Sequence, residues 1–200
     1  MSRDNPVDET DADLIRRSLV DSPMFAVIFD RHYGSIHRYL VRRLGPEVGG
    51  ELSSETFLRA FNQRDRFDPS HLSARPWLFG IAANLARMEA RRRYLESRSL
   101  GLGPASTGPE DFAADVAVRL DAMEEARKVG LYAFLERLRE SDRQVLLFYA
   151  LGDLTQGEIA LALGIPLGTV KSRLHRTRAA LRELFEPERQ SGPHERDSTR

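Results

Sequence analysis

Cysteine is absent from the 200 residues of this chain, and this excludes disulfide bonds and thiolate metal sites. A run of about 18 apolar residues, close to the length that a membrane helix needs, does not occur either. The stretch from Met1 to Thr10 is polar and acidic and lacks the apolar segment of a signal peptide. These absences predict a cytoplasmic protein with no membrane span.

Signals for catalysis are equally scarce. The sequence has five histidines, and none of them pairs with a second histidine or a carboxylate at the spacing of a metal-binding helix. It contains neither a nucleophile-elbow serine nor a phosphate-binding P-loop. The segment Gly101-Leu102-Gly103 follows no strand and is interrupted by Pro104, so it does not qualify as a phosphate loop. We therefore expect no cofactor, no metal and no enzymatic activity.

The net charge is zero, but the charges are distributed in blocks. Residues 1–30 carry a net charge of −4, and residues 31–100 carry +6. Residues 101–140 return to −3, and residues 141–184 carry +2. Two basic blocks separated by an acidic stretch favour two anion-binding surfaces on one chain, although either block alone is also typical of a solvated helix face.

Helical periodicity runs through the sequence, and no long alternation of apolar and polar residues indicates a strand. Trp77 and Met88 are expected on the buried stripe of the fourth helix. The apolar pattern predicts helices at Asp11–Asp21, Met24–Leu44, Glu47–Phe61, Pro76 to about Leu95, Asp115–Arg139 and Ser141–Gly152.

A linker divides the predicted helices into two groups. A Gly- and Pro-rich segment at 97–111 predicts a flexible linker. It separates two small helical domains at 11–96 and 112–186, and a polar tail at 187–200 is expected to be disordered. The predicted fold class is therefore all-α, with two helical domains.

The most informative segment runs from Asp153 to Leu181 and reads DLTQGEIALALGIPLGTVKSRLHRTRAAL. Thr155 and Glu158 have the spacing of a capping box, and Gly164 can adopt the left-handed conformation that ends a helix. Two short helices joined by such a turn predict a helix-turn-helix, whose second helix enters the major groove of DNA. The candidate contacts, to base edges or to phosphates, are Thr169, Lys171, Ser172, Arg173 and Arg176.

Two further motifs precede the linker. They read GELSSETFLRAF at 50–61 and RPWLFGIAANLARMEARRR at 75–93. With the later GTVKSRLHRTRAAL, and in this order, they resemble the extracytoplasmic-function (ECF) group of RNA polymerase sigma factors of the sigma-70 family. The resemblance covers about Phe25 to Leu184. It implies a subunit that binds core RNA polymerase and promoter DNA and directs promoter-specific initiation of transcription.

The resemblance also implies a role for each motif. The first would dock on the clamp helices of the polymerase β′ subunit, in a complex that includes the β subunit, through Glu51, Ser54, Glu55 and Arg59. The second, with the loop before it, would capture and melt the −10 element through Arg64, Phe67, Asn84, Arg87, Arg91 and Arg92. A flipped base needs a pocket, and the unpaired backbone needs cations. The helix-turn-helix would read the −35 element as duplex, and an anti-sigma factor is an expected partner.

Two other functions remain open at this point. A stand-alone helix-turn-helix regulator would explain residues 153–181 but would leave the motifs at 50–61 and 75–93 without a role. A sigma mimic that sequesters an anti-sigma protein would make no DNA contact, so it would have no need for the basic residues of both DNA-binding motifs.

Overall fold

The computed structural model describes residues 9–99, 134–135 and 137–185. Within these ranges the chain forms α-helices and two short 3-10 helices, Ser22–Met24 and Arg64–Arg66, and no strand. The all-α class is confirmed. The helices are α1 (Asp11–Ser18), α2 (Phe25–Leu44), α3 (Pro46–Asn62), α4 (Arg75–Ser99), α5 (Glu140–Ala150), α6 (Gln156–Leu163) and α7 (Leu167–Phe185).

Local signals set several helix ends. The hydroxyl of Thr10 accepts from the amide of Asp13 at 3.2 Å and begins α1. Gly45, with φ of 84°, ends α2, and Pro46 then occupies the first turn of α3. This sharp connection makes α2 and α3 neighbours.

The first four helices form a bundle around one apolar core. Ile28, Ile36 and Leu40 on α2 are fully buried, as is Leu78 on α4. Gly49 of α3 lies so close to α2 that an added Cβ would stand 2.5 Å from the Cα of Val41. A larger residue there would force these two helices apart.

The last three helices complete the core and join it to the first bundle. Tyr39 of α2, Phe79 of α4 and Phe148 of α5 are fully buried, with ring centroids 5.3 to 5.8 Å apart. Where α4 crosses α6, a Cβ on Gly80 would stand 2.9 Å from the carbonyl oxygen of Ala162. The regions predicted as two helical domains therefore share one apolar core in this structure.

The largest differences between the predicted and the observed helices concern the end of α1, the end of α4 and the position of Met88. The first helix ends at Ser18 rather than at Asp21, and α4 continues to Ser99. Met88 is 57% exposed, so the expectation that it is buried is wrong. The reason is that α4 runs past its neighbours and has no buried residue between Ala86 and Ser97. The predicted linker beyond Ser99, most of the predicted helix Asp115–Arg139 and the predicted tail lie outside the described residues.

Candidate nucleic-acid interface

A cleft of about 410 Å³ opens between the loop that follows α3, the first half of α4 and the end of α6. Phe67 of the loop is buried and meets Trp77 of α4 edge to face, with ring centroids 5.2 Å apart. Trp77 contacts the core, as expected, and also lines the cleft. The aromatic pair gives the cleft an apolar wall.

Polar groups face the same cleft. Gln63, His71 and Asn84 all line it. The amide oxygen of Asn84 accepts from a guanidinium N–H of Arg87 at 3.0 Å. The structure thus brings the predicted residues Phe67 and Asn84 together, with Arg87 beside them.

Arg64, also predicted for DNA, has a different environment. Its guanidinium donates to the carbonyl oxygens of Ser18 (3.3 Å) and Phe61 (2.5 Å) and lies 3.9 Å from the centroid of the Phe61 ring. These contacts tie α1 to α3. The neighbouring Arg66 lines the cleft instead. The sequence of this loop, with basic residues at both positions, did not indicate which of the two arginines faces the cleft.

The far half of α4 carries the basic cluster. Arg87, Arg91 and Arg92 are all exposed. Arg92 pairs with Glu89 at 2.7 Å and with Glu96 at 2.6 Å, and the hydrogen bonds that its guanidinium donates to Glu89 are the main cause that raises the pKa of Arg92. Acidic neighbours therefore already compensate the charge of Arg92.

The helix-turn-helix has the predicted local geometry. The Thr155 hydroxyl accepts from the Glu158 amide at 3.2 Å, while the Glu158 carboxylate accepts from the Thr155 amide at 2.8 Å. Gly164 adopts the left-handed conformation with φ of 62°. The capping box and the turn are both confirmed.

The second helix of this motif, α7, has a buried side and an exposed side. Its inward positions are Val170, Leu174, Thr177 and Leu181. Lys171, Ser172 and Arg176 are exposed, and Thr169 and Arg173 are half-buried. All five predicted DNA contacts therefore lie away from the fully buried side of the helix.

Asp142 of α5 is a contact that the sequence did not indicate. Its Oδ1 lies 3.5 Å from Nε of Arg173 and 3.4 Å from Nη2 of Arg176. Arg173 also donates to the carbonyl oxygen of Ser141 at 3.3 Å. The first turn of α5 thus holds two arginines of α7, although a long stretch of sequence separates them.

The four residues predicted for docking lie on the outer face of α3. Glu51, Ser54 and Arg59 are exposed, and Glu55 is half-buried and accepts from Nε of Arg59 at 2.6 Å. Leu58 lies among them and is 55% exposed. Single exposed apolar residues are common on protein surfaces, so Leu58 is of interest only because it lies among the predicted docking residues.

Within 9–99, 134–135 and 137–185, no cluster of three or more His, Asp or Glu side chains has the arrangement of a metal site. None of the described helices is long and apolar enough to span a membrane.

Two family models match separate parts of the chain. Residues 28–95 match the model of sigma-70 region 2, and residues 128–181 match that of sigma-70 region 4. The first match contains the cleft and the outer face of α3. The second contains the helix-turn-helix.

Solved structures share the fold. A structure of CnrH in complex with the cytosolic domain of CnrY has a TM-score of 0.59 at 20% identity and covers 89% of this chain and 98% of that chain. The sigma factor RpoE in complex with the anti-sigma factor NepR from Bartonella quintana has a TM-score of 0.58 at 20% identity, with coverages of 82% and 98%. At this identity the likeness shows the fold alone.

Curated relatives are similar over most of their length. The ECF RNA polymerase sigma factor SigW of Bacillus subtilis (strain 168) is 31% identical over 169 residues, which cover 82% of this chain and 89% of that protein. The ECF RNA polymerase sigma factor RpoE of Cereibacter sphaeroides is 30% identical over 166 residues, with coverages of 82% and 87%. The chain therefore belongs to the ECF sigma factors of the sigma-70 family, the subunits that direct promoter-specific initiation of transcription by RNA polymerase.

Proposed function

We propose that three surfaces of this sigma factor divide the work of initiation. The cleft beside α4 captures an unpaired base of the −10 element, the exposed side of α7 reads the −35 duplex, and the outer face of α3 docks on core polymerase at the β′ clamp helices. The observation that carries the proposal is the cleft itself, because it combines an aromatic wall with amide groups next to a row of arginines.

The chemistry of the cleft suits a flipped base. An aromatic side chain offers stacking, which contributes about 1–3 kcal/mol per base and tolerates any base. The side-chain amides of Gln63 and Asn84 offer both donors and acceptors to a base edge. Stacking therefore supplies affinity in this proposal, and the amides supply discrimination.

The arginines of α4 supply the counter-charge for the unpaired strand. Arg87 lies next to the cleft through its bond to Asn84, and Arg91 follows one turn later on an exposed surface. Arg92 is compensated by Glu89 and Glu96, so its contribution to phosphate binding is smaller. We place the strand along Arg87 and Arg91.

Lys171, Ser172 and Arg176 form the outermost part of the proposed −35 surface. Arg173 and Arg176 contact Asp142 in the free protein, so DNA phosphates compete with this carboxylate. Cations that bind phosphates release counterions from DNA, and promoter affinity is therefore expected to fall with salt. A regulator that binds DNA without polymerase would use this surface alone.

The proposed partners follow from the family and from the structures that share the fold. Core RNA polymerase is the partner for the α3 face. Because one similar solved structure holds a sigma factor with its anti-sigma factor, we propose that an anti-sigma protein also binds this chain. The chain acts by binding, in the cytoplasm, and the polymerase performs the chemistry.

A base-deletion experiment tests the cleft. Fork-junction DNA is made with an intact −10 element or with one base at a time replaced by an abasic sugar, and its binding to the holoenzyme is measured. Loss of the captured base should weaken binding by the wild type by about tenfold. The same abasic substitution should weaken DNA binding by the Asn84→Ala and Phe67→Ala holoenzymes much less, because each variant already lacks one of the side chains that contact the base. An equal loss of binding affinity in the wild type and in both variants would contradict the proposal.

A further inference from the structure

Asp11, at the start of α1, has a buried carboxylate on a helix that has no part in the surfaces described so far. The residue is 6% exposed. A buried carboxylate is costly unless donors surround it. Here two donors come from α2: Nη1 of Arg31 at 3.0 Å from Oδ1, and Nε2 of His32 at 2.6 Å from Oδ2.

The other donors come from the loop that leads into α4. The amide of Ala74 donates to Oδ2 of Asp11 at 2.8 Å, and the hydroxyl of Ser73 lies 3.4 Å from the same oxygen. The amide of Asp11 in turn donates to the carbonyl oxygen of Leu72 at 3.1 Å. One residue therefore holds three consecutive loop positions.

This loop is also a wall of the cleft. Asp68, His71 and Ser73 line the cleft from the loop side, and Ser73 contacts Asp11 as well. Ala74 is fully buried, and its carbonyl oxygen accepts from the amide of Leu78 at 2.9 Å, so it begins the first turn of α4. Asp11 thus fixes both the loop wall and the point at which the chain enters α4.

We propose that Asp11 is a positioning residue for base capture: its carboxylate holds the loop 68–74 at the distance from α4 that a −10 base requires. An apolar side chain at this position would also fill the space between α1 and α2, but it would offer no acceptor to the two loop donors. The inference rests on the proposed function of the cleft.

The test uses the full chain with core polymerase and the substitution Asp11→Asn. Asparagine keeps the shape of the side chain but loses the charge and turns an amide N–H₂ toward a cluster of donors. Asp13→Asn is the matched control, because Asp13 lies on the same helix, is only half-buried and pairs with Arg16 rather than with the loop before α4. Run-off transcription is measured on two templates that differ by one base in the −10 element.

The readout is the ratio of transcripts from the matched and the mismatched template. Asp11→Asn should lower this ratio by about tenfold, because a displaced loop weakens the contacts that discriminate the base, and a misplacement of about 1 Å can cost up to about a hundredfold. Asp13→Asn should leave it unchanged. A role in stability alone would reduce the amount of folded protein and lower both transcripts equally, so an unchanged ratio in folded Asp11→Asn overturns the inference.

A second variant covers the case in which Asp11→Asn does not fold. Asp11→Glu keeps the charge and the ion pairs but shifts the carboxylate by one methylene group, so the loop must move with it. A lower ratio supports the inference, and a wild-type ratio overturns it. Faster hydrogen exchange at the Ala74 amide in either variant should accompany the loss of discrimination.

Parallel variants separate this inference from the proposal on which it rests. Asn84→Ala and Phe67→Ala alter the cleft itself. If both leave the transcript ratio unchanged, the cleft does not read the −10 base and the proposed function fails. If both lower the ratio while Asp11→Asn and Asp11→Glu do not, the cleft is the reading site and only the role of Asp11 is rejected.

Discussion

The guanidinium of Arg75 donates to Oε1 of Glu158 at 3.2 Å, while Oε2 of the same carboxylate accepts from the amide of Thr155 at 2.8 Å. Arg75 also donates to the carbonyl oxygen of Gly152 at 2.7 Å. One carboxylate thus caps the first helix of the helix-turn-helix and joins that motif to α4. Glu158 therefore stabilises both the start of α6 and the contact between α6 and α4.

Substitutions at Glu158 separate the helix cap from the ion pair with Arg75. Glu158→Gln keeps an acceptor for the cap but loses the charge that attracts Arg75, so we expect a loss of about 0.5–1 kcal/mol in the free energy of unfolding. Glu158→Ala loses both and should cost about 1–2 kcal/mol. Urea unfolding measures both values. A double-mutant cycle with Arg75→Gln that gives no coupling energy would show that the ion pair has no net effect.

Two glycines in helices give opposite predictions for the same substitution. Gly34→Ala in α2 meets no atom within 4 Å, so it should stabilise the protein by about 0.5–1 kcal/mol through helix propensity. Gly80→Ala in α4 places its Cβ 2.9 Å from the carbonyl oxygen of Ala162, and α6 has to move away. We expect a lower melting temperature and faster hydrogen exchange in α6. Stabilisation by Gly80→Ala would contradict the close crossing of α4 and α6.

The salt dependence of promoter binding tests the −35 surface. Arg176→Gln should weaken binding of the holoenzyme to a −35 duplex and lower the slope of log K against log salt by about one. Arg16→Gln is the control, because both arginines are exposed, at 63% and 69%, and each pairs with one aspartate. A similar change of slope in both variants would mean that net charge, and not the surface of α7, governs binding.

Leu58 tests the docking face. Leu58→Ser should weaken binding to core polymerase by about 1 kcal/mol, or roughly fivefold in Kd, because the side chain would lose apolar contact in the complex. Val20→Ser is the control, since Val20 is 96% exposed and lies outside α3. Neither change should alter the melting temperature much. Equal core affinity of the Leu58→Ser variant and the wild type would remove Leu58 from the interface.

The pH dependence of stability tests the environment of Asp11. Burial raises the pKa of its carboxyl, but the hydrogen bonds of His32 and Ala74 outweigh burial and lower the pKa from 3.8 to about 2. A lowered pKa contributes stability that is complete above the unfolded pKa and is lost as the pH falls through the folded pKa. The stability difference between wild type and Asp11→Asn that is due to the Asp11 carboxylate should therefore shrink as the pH falls from about 4 toward 2. A difference that grows below about pH 4 would contradict this environment.

The sequence predicted features that depend on neighbours in the chain. The capping box of Thr155 and Glu158, the turn at Gly164 and the outward face of α3 all follow from spacings of a few residues. The family motifs added the order of the functional segments. These local signals were sufficient for the fold class and for the solvent exposure of most candidate contact residues.

Most of the features that the sequence did not reveal depend on contacts between distant segments. The pairing of Asp142 with Arg173 and the closure of the cleft by Leu161 bring together residues far apart in the chain. Periodicity placed Met88 inward because it identifies a helix face, but it does not show where a helix passes beyond its neighbours. Arg64 and Arg66 are likewise equivalent in the sequence, and only the fold shows that Arg64 contacts Ser18 while Arg66 lines the cleft.

Run-off transcription with core polymerase on a promoter library, with and without this protein, measures directly whether the chain directs initiation at paired promoter elements. We expect new transcripts whose templates share a −10 and a −35 element at a fixed spacing. We also expect that Asn84→Ala relaxes the preference at the −10 element alone, and that Lys171→Glu abolishes dependence on the −35 element alone. Core binding without any new promoter-specific transcript would show that the chain does not direct initiation.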